Sequence, residues 1–235
     1  MLLVSVSVII PVADGDTKWQ ALLADLTVLS PKDEVILSSV ESLEKPLKDE
    51  VTALGLSCKC SWTSSSPGRA RQLNSGAQAA KNDFFWFLHA DSKIPLESIR
   101  ELKKTLTKKP HGLHFFNLKF MNDGPPLMVT NEIGAWIRSR ILRLPFGDQG
   151  FCLSRETFNK LAGFNEDAPY GEDHLMIWRA HQKKITLHCV GRPLFTSARR
   201  YMSCGWTKTT LHHLLSTFIQ ASPQFGRLIK CRIMS

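Results

Sequence analysis

The sequence predicts an α/β fold in a single domain, with a mostly parallel sheet flanked by helices. The chain of 235 residues has the length of one ordinary domain. Between residues 4 and 107, short apolar runs typical of buried strands alternate with segments whose apolar residues recur at helical spacing. Such alternation is typical of strand–helix–strand units, whose right-handed crossovers bring all strand ends to one edge of the sheet.

The first half of the chain contains four such units. The run Phe84–Leu88 is continuously apolar, which predicts a central strand covered on both faces. Pro95 suits the first turn of the helix that follows, and Gly55 suits the end of an earlier one. Strands are predicted at 4–12, 34–38, 56–62 and 84–88, and helices at 19–29, 43–54, 69–80 and 95–106.

The second half is less regular. Strands are predicted at 112–121, 151–154 and 185–190, and helices at 132–144, 155–162 and 174–181. A last amphipathic helix spans Leu211–Ile219 and is followed by basic Arg227, Lys230 and Arg232. Residues 1–206 are therefore predicted to form the main domain, with the helix and tail at 207–235 packed on it. The same helix suits two alternatives, which are peripheral contact with a membrane surface and a homodimer contact.

Composition limits the classes of function. The net charge of +9 fits either a solvated basic surface or attraction to phosphates, nucleic acid or an anionic membrane. Nucleic acid is not predicted as a partner, because the chain has no arginine-rich tail and no aromatic RNA-binding signature. The six cysteines form no Cys-x-x-Cys pair, so reduced thiols in a cytoplasmic protein are expected. The apolar N-terminus lacks a basic region and a cleavage site, which favours a strand over a signal peptide.

Ligands of open parallel sheets bind beyond the carboxyl ends of the strands. Asp91 follows the most apolar strand and can hold Mg²⁺ or Mn²⁺ against a diphosphate, because hard cations prefer oxygen ligands. His89, two residues earlier, is a second candidate metal ligand or a hydrogen-bond donor to phosphate. The alternative is that Asp91 only caps the helix that begins at Pro95.

Four other segments also follow predicted strands or begin helices. Gly68, Arg69 and Arg71 open a helix whose free amides and guanidinium groups suit an anion, although a solvated helix start explains them equally well. Glu172 and Asp173 begin another helix, where acids either match the helix dipole or serve as a general base. Asp148 and Gln149 suit sugar hydroxyls or a plain turn, and Arg199 with Arg200 suits a diphosphate or the surface.

Taken together, these motifs resemble family 2 glycosyltransferases, and most closely the bacterial subgroup of arsenosugar-biosynthesis-type glycosyltransferases. The resemblance runs in order from about residue 6 to residue 201. It rests on Val8–Val12, Gly68–Gly76, Leu88–Asp91, Gly147–Phe151, Leu161–Phe164 and Gly171–Asp173.

This resemblance implies a GT-A type fold and transfer of a sugar, with inversion, from a nucleotide-diphosphate sugar to an unidentified acceptor hydroxyl. Asp91 matches the last acid of the family's metal motif, in which His89 replaces the first acid. Asp173 matches the catalytic base, next to Glu172. The residues assigned to the donor by motif position are Pro11, Asp14, Glu41, Gly68, Arg69, Arg71, Asn74, His89, Ala90, Asp148, Gln149, Arg199 and Arg200.

Two segments depart from the family pattern. Ala13–Asp16 stands where the family usually has Asn-Glu, and Ser38–Ser42 replaces a turn whose Asp contacts the nucleotide base. Glu41 is the residue there that can substitute for this Asp. A catalytically impaired relative that acts as a binding protein is therefore an alternative. A nucleotidyltransferase is another, although Gly15 is the only glycine in the loop after the first strand.

Overall fold

The computed structural model describes residues 4–233, and the side chains of residues 4–229. In this part of the chain seven strands form one sheet, in the order β3-β2-β1-β4-β6-β5-β7. Their bounds are β1 Val6–Pro11, β2 Glu34–Ser39, β3 Lys59–Ser64, β4 Phe84–Phe87, β5 Leu113–Phe120, β6 Cys152–Ser154 and β7 Leu187–Thr196.

Six of these strands run in the same direction. β1 pairs in parallel with β2 and β4, β2 with β3, and β5 with β7. The short strand β6 is antiparallel to both of its neighbours, β4 and β5. The carboxyl ends of the parallel strands therefore share one edge with the amino end of β6. The predicted α/β fold with a mostly parallel sheet is confirmed.

Helices follow most of the strands. They are α1 Trp19–Asp25, α2 Glu44–Leu54, α3 Arg69–Ala79, α4 Leu96–Lys108, α5 Met128–Arg140, α6 Arg155–Lys160, α7 Glu172–Gln182, α8 Arg199–Cys204 and α9 Trp206–Ile233. Short 3-10 turns lie at Leu26–Val28 and Gly147–Gln149. The helix predicted at 132–144 begins and ends about four residues earlier, and β7 extends six residues past the predicted end at 190.

The two faces of the sheet each build an apolar core. In β4, Trp86 and Phe85 belong to different cores because successive strand residues point to opposite faces. The Trp86 core includes residues of α1 and α4, and the Phe85 core includes residues of α3 and α7. This explains why the sequence of β4 is apolar at every position: both faces are covered.

The last helix differs most from its prediction. It spans 28 residues, Trp206–Ile233, and not only 211–219. It contacts the rest of the chain through polar side chains, such as His213 near Tyr201 and Gln220 near His174, and through apolar ones, such as Phe225 against Trp178. The apolar residues that were predicted to make it amphipathic point outward instead, with 56–72% of each exposed: Leu211, Leu214, Leu215, Phe218 and Ile219.

Candidate active site

A cleft opens at the edge where the parallel strands end. Its volume is about 390 Å³, within the range of small-molecule sites. The segments that follow β1, β4, β5 and β7 all contribute to it, as the sheet topology requires. The lining residues are Lys18, Ala21, Asp25, Asp91, Ser92, Lys93, Met121, Asp123, Ser197 and Arg199.

Asp91 lies in this cleft, as the sequence predicted, and Arg199 lines it as well. Partial burial raises the pKa of Asp91, while Lys18 and Arg199 act in the opposite direction. These two cations therefore lie close enough to favour its ionised form. A carboxylate near two cations, in a cleft of this size, suits a ligand that carries both phosphate and a divalent ion.

Asp123 holds the Arg199 segment in place. Its carboxylate accepts a hydrogen bond from the Ser197 hydroxyl at 2.5 Å and one from the Ala198 amide at 2.8 Å. The Arg199 Nε atom lies 4.0 Å from the same carboxylate. Asp123 therefore helps to hold Arg199 at the cleft, while half of the arginine side chain stays exposed.

Beside the cleft lies a second group of ionisable residues, which we call the charge cluster. Its members belong to five different segments of the chain, and all except Arg138 were predicted as site residues. They are Arg69, His89, Arg138, Asp148, Glu172 and Asp173. Arg69 connects several of them: its Nη1 atom lies 3.0 Å from Glu172, and its Nη2 atom contacts the His89 ring.

Asp173 is the buried acid at the start of α7, with 9% of its surface exposed. Burial by itself raises the pKa of a carboxyl group, but Arg69 and the backbone N–H groups of Gly147 and His174 outweigh it and lower the pKa of Asp173. Gly147 donates its hydrogen bond at very short range. A Cβ at Gly147 would lie 2.8 Å from the Asp173 carboxylate, so this close approach requires glycine.

Asp148 has the opposite electrostatic character. Burial raises its pKa to about 6, and the nearby Asp173 adds to this, while Arg138 acts against it. Its buried Oδ1 atom has no hydrogen-bond partner among the described residues. Arg138 stacks over the Phe146 ring, with its guanidinium carbon 3.2 Å from the ring centroid. The pKa values of two neighbouring carboxyl groups are thus pushed apart.

His89 does not have the contacts of a metal ligand. Burial and the adjacent Arg69 lower the pKa of His89 to about 3, so the ring is neutral. Its Nε2 atom contacts the Arg69 guanidinium. His89 and Asp91 contact different groups in this structure, and their pairing as ligands of one metal stays a prediction.

Three residues that were predicted to bind the donor contact other parts of the protein. The Asn74 amide donates to the Phe164 carbonyl at 3.0 Å and accepts from its N–H at 2.9 Å. Arg71 reaches Glu166 at 3.7 Å, on the same loop. Gln149 is fully buried, where it donates to the Phe116 carbonyl at 2.8 Å. The amides of Asn74 and Gln149 thus hold neighbouring segments, and their donor roles stay predictions.

The remaining predicted residues lie apart from the cleft lining. Pro11 and Ala90 are buried, whereas Asp14, Glu41, Gly68 and Arg200 are exposed. The backbone carbonyl of Glu41 accepts a hydrogen bond from the Ser39 hydroxyl at 2.5 Å. This bond holds the turn through the main chain of Glu41 and not through its carboxylate. Gly68 begins α3 with φ +122°, a conformation that favours glycine.

The structure adds site residues that sequence reasoning missed. Lys18 directly precedes α1 and Asp25 ends it, and this spacing of seven positions, about two helical turns, places both at the cleft. That spacing was readable from the sequence. Arg138 was not, because nothing in the sequence of α5 separates a buried arginine from the exposed Arg140. Asp123 lies in the irregular segment after β5, where no pattern indicated a site.

The residues present can hold a divalent metal only together with a ligand. Among the described residues, no three His, Cys, Asp or Glu side chains are grouped to bind an ion. Mg²⁺ typically binds one or two carboxylates and completes its shell with substrate phosphates and water. Asp91 fits that pattern, since it lines an open cleft together with the cations Lys18 and Arg199.

Neither a scan against models of protein families nor a search of curated proteins found a match. Solved structures do match the fold. The mannosyltransferase PcManGT from Pyrobaculum calidifontis, in complex with GDP-Man and Mn²⁺, has a TM-score of 0.66 and 16% sequence identity. The match covers 97% of this chain and 68% of the mannosyltransferase.

S. aureus TarS also matches. Its fragment 1–349 gives a TM-score of 0.64 at 17% identity, over 82% of this chain and 60% of that one. The same fragment in complex with UDP-GlcNAc gives a TM-score of 0.61 at 19% identity, over 82% and 58%. The chain thus spans less than two thirds of the TarS chains that it matches. At these identities the likeness shows the fold.

Proposed function

We propose that this protein transfers a sugar, with inversion, from a nucleotide-diphosphate sugar to an acceptor hydroxyl, with a divalent metal. The observation that carries the proposal is the cleft lined by Asp91, Lys18 and Arg199, beside a charge cluster that contains the carboxyl groups of Asp148 and Asp173. The fold is shared with a mannosyltransferase in complex with GDP-Man and Mn²⁺ and with TarS in complex with UDP-GlcNAc, which supports such a donor.

The cations of the cleft suit the leaving group. Breaking the bond between sugar and diphosphate places negative charge on the departing phosphate oxygen, and preorganised positive groups stabilise it. Lys18 and Arg199 are the lining residues positioned to do this, and Asp123 holds the arginine segment. When bound at Asp91, Mg²⁺ or Mn²⁺ would neutralise further charge on the diphosphate.

Two carboxyl groups are candidates for the base that takes the acceptor proton. The resemblance assigns this role to Asp173, whose lowered pKa keeps it ionised. Asp148 is a second candidate, because its pKa of about 6 is nearer the value at which a general base is most effective. A rate that depends on Asp148 as base would rise through pH 6, whereas one that depends on Asp173 would already be constant there.

The finer assignments are also part of the proposal. We assign the chain to family 2, close to the arsenosugar-biosynthesis-type subgroup of bacteria, and propose a hexose as the transferred sugar. The motif order between residues 6 and 201 supports this assignment. A cytoplasmic location fits the same proposal, since nucleotide sugars and reduced thiols would both be available there.

A thermal-shift screen tests the donor site. UDP, GDP, CDP and TDP are each added with Mn²⁺ or Mg²⁺ to the wild type, to Asp91→Ala and to Asp49→Ala, whose carboxylate is exposed on α2. We expect one nucleotide to raise the Tm of the wild type and of Asp49→Ala in a metal-dependent way, but not that of Asp91→Ala. The sugar derivatives of that nucleotide are then assayed for transfer or slow hydrolysis.

Two other outcomes would overturn the proposal. A flat response of all three proteins would favour the impaired relative, for which the exposed position of Glu41 is the supporting observation. Stabilisation by nucleoside triphosphates, with release of pyrophosphate in the presence of a sugar phosphate, would favour a nucleotidyltransferase.

A further inference from the structure

Two neighbouring helices expose apolar side chains that this chain leaves uncovered. On α9, Leu211 is 68% exposed and Phe218 is 72% exposed. On α5, Val129 is 59% exposed and Trp136 is 50% exposed. We call this surface the docking face, and it consists of Val129, Ile133, Trp136 and Ile137 on α5 with Leu211, Leu214, Leu215, Phe218 and Ile219 on α9. Contiguous apolar exposure of this kind marks interaction sites on otherwise folded proteins.

The outward direction of the α9 apolar side chains follows from the contacts on its other side. His213 lies 3.2 Å from the Tyr201 hydroxyl, and Gln220 contacts His174 at 2.8 Å and donates to the Tyr170 carbonyl at 2.9 Å. Because residues at helical spacing share one face, these contacts turn Leu214, Phe218 and their neighbours away from the domain. The docking face is thus held outward by specific hydrogen bonds.

The two helices meet at their amino-terminal halves. Asn131 of α5 donates to the Thr210 hydroxyl at 3.1 Å and accepts from the Trp206 ring N–H at 2.6 Å. Their exposed apolar side chains therefore belong to adjoining elements. Near the same junction Met128 packs with Ala198, whose neighbours Ser197 and Arg199 line the cleft.

The part of the docking face on α9 belongs to a segment that carries only positive charge, whereas Glu132 on α5 is paired with Lys119. The 62 residues that follow Asp173 contain ten Lys or Arg and no Asp or Glu, so they carry more than the whole net charge of +9. Lys208 and Arg227 belong to α9 itself. No helix in the described part of the chain is long and apolar enough to cross a bilayer. An outward apolar stripe with basic flanks is instead typical of helices that lie in the plane of a membrane surface.

We propose that the docking face binds the surface of an anionic bilayer, with the α5 and α9 side chains inserted among the lipids and the basic residues at the headgroups. A second copy of the chain is the other candidate occupant, but it is disfavoured by charge. A two-fold dimer would place the same surface of both copies together, and the acid-free segment of one copy would face that of the other. The proposal does not depend on the glycosyl-transfer activity.

Vesicle flotation tests the proposal, with phosphatidylcholine vesicles that either contain or lack phosphatidylglycerol, at low and high salt. Two paired variants are compared with the wild type: Leu214→Ser with Phe218→Ser, and Lys208→Glu with Arg227→Glu. Val28→Ser is the matched control, because Val28 is an exposed apolar residue far along the chain from the docking face. Thermal melts confirm that each variant is folded.

We expect the wild type and the control to float only with anionic vesicles, less so at high salt. The apolar pair is expected to weaken binding about 100-fold, and the charge pair about 30-fold. Three results would overturn the proposal: no flotation of the wild type, equal flotation with neutral vesicles, or a concentration-dependent dimer that the apolar pair abolishes in the absence of lipid.

Discussion

The cleft and the charge cluster lie side by side at the same edge of the sheet, yet their acidic side chains differ in accessibility and in hydrogen-bond partners. Asp91 lines an open cavity together with the cations Lys18 and Arg199, where a ligand can reach it. Asp173 is nearly enclosed and receives hydrogen bonds from the backbone, with Arg69 beside it. The comparison shows one region shaped to receive charge from outside and another in which charge is already balanced within the protein.

The same contrast exists within the cluster. Asp173 has protein partners that favour its ionised form, whereas Asp148 has a buried oxygen without a hydrogen bond and a pKa raised to about 6. Buried carboxyl groups that lack partners are costly to ionise, and such groups concentrate at functional sites. This difference predicts that the two acids affect stability with opposite signs.

The largest expected effect is that of Asp173→Asn. If Asp173 is the base, kcat of sugar transfer falls about 10³- to 10⁴-fold, because the proton acceptor is lost. Stability falls as well, since a depressed pKa contributes stability above the unfolded value of 3.8 that is lost as pH falls through the folded value. Transfer assays and urea melts at pH 7.5 and pH 3.5 measure both effects. An unchanged kcat would remove Asp173 as the base.

Asp91→Asn should affect function without a matching loss of stability. We expect about a 10²- to 10³-fold lower kcat/KM and loss of the metal-dependent thermal shift, because the leaving charge is less well stabilised. The Tm without ligand should stay within about 2 °C, since the side chain lines open space. The control is Asp49→Asn, which should match the wild type in both assays. A large drop in the ligand-free Tm would show that Asp91 is structural.

Asp148→Asn should stabilise the protein at neutral pH. Its folded pKa of about 6 lies above the ordinary aspartate value of 3.8, so ionisation costs stability as pH rises between these values. The amide removes that cost, on the order of 3 kcal/mol at pH 7.5 and near zero at pH 3.5. Urea unfolding across this pH range measures the difference. Destabilisation at pH 7.5 would contradict the proposed burial effect.

Gly147→Ala should produce the smallest change. Its Cβ would lie 2.8 Å from the Asp173 carboxylate and 3.1 Å from Arg69, so these groups must shift. We expect a loss of about 1–3 kcal/mol in the free energy of unfolding, as for overpacking elsewhere. Gly134→Ala on α5 is the control, because nothing lies within 4 Å of a Cβ there. Equal stability of the two variants would mean that the cluster is loosely packed.

Much of the fold could be predicted because its cause is local. β4 is apolar at every position since both of its faces are buried, and β1 is buried on both faces too, with Ser7 as its one polar residue. The position of Asp91 beyond β4 followed from the rule that parallel strands end at one edge. In the irregular half β6 was located, at 151–154, but its antiparallel direction was not, because strand direction leaves no pattern in the sequence of three residues.

The sequence by itself determined the order of strands and helices and the placement of Asp91, Asp148 and Asp173 at the ligand edge, since hydrophobic periodicity and topology depend on nearest neighbours along the chain. Only the tertiary structure decided which partners these side chains have. In the structure Asn74 and Gln149 donate hydrogen bonds to backbone carbonyls, and His89 contacts Arg69. Arg138, which stacks on Phe146, joins the charge cluster. Such contacts join residues far apart in sequence, and their strength depends on burial, which no local pattern encodes.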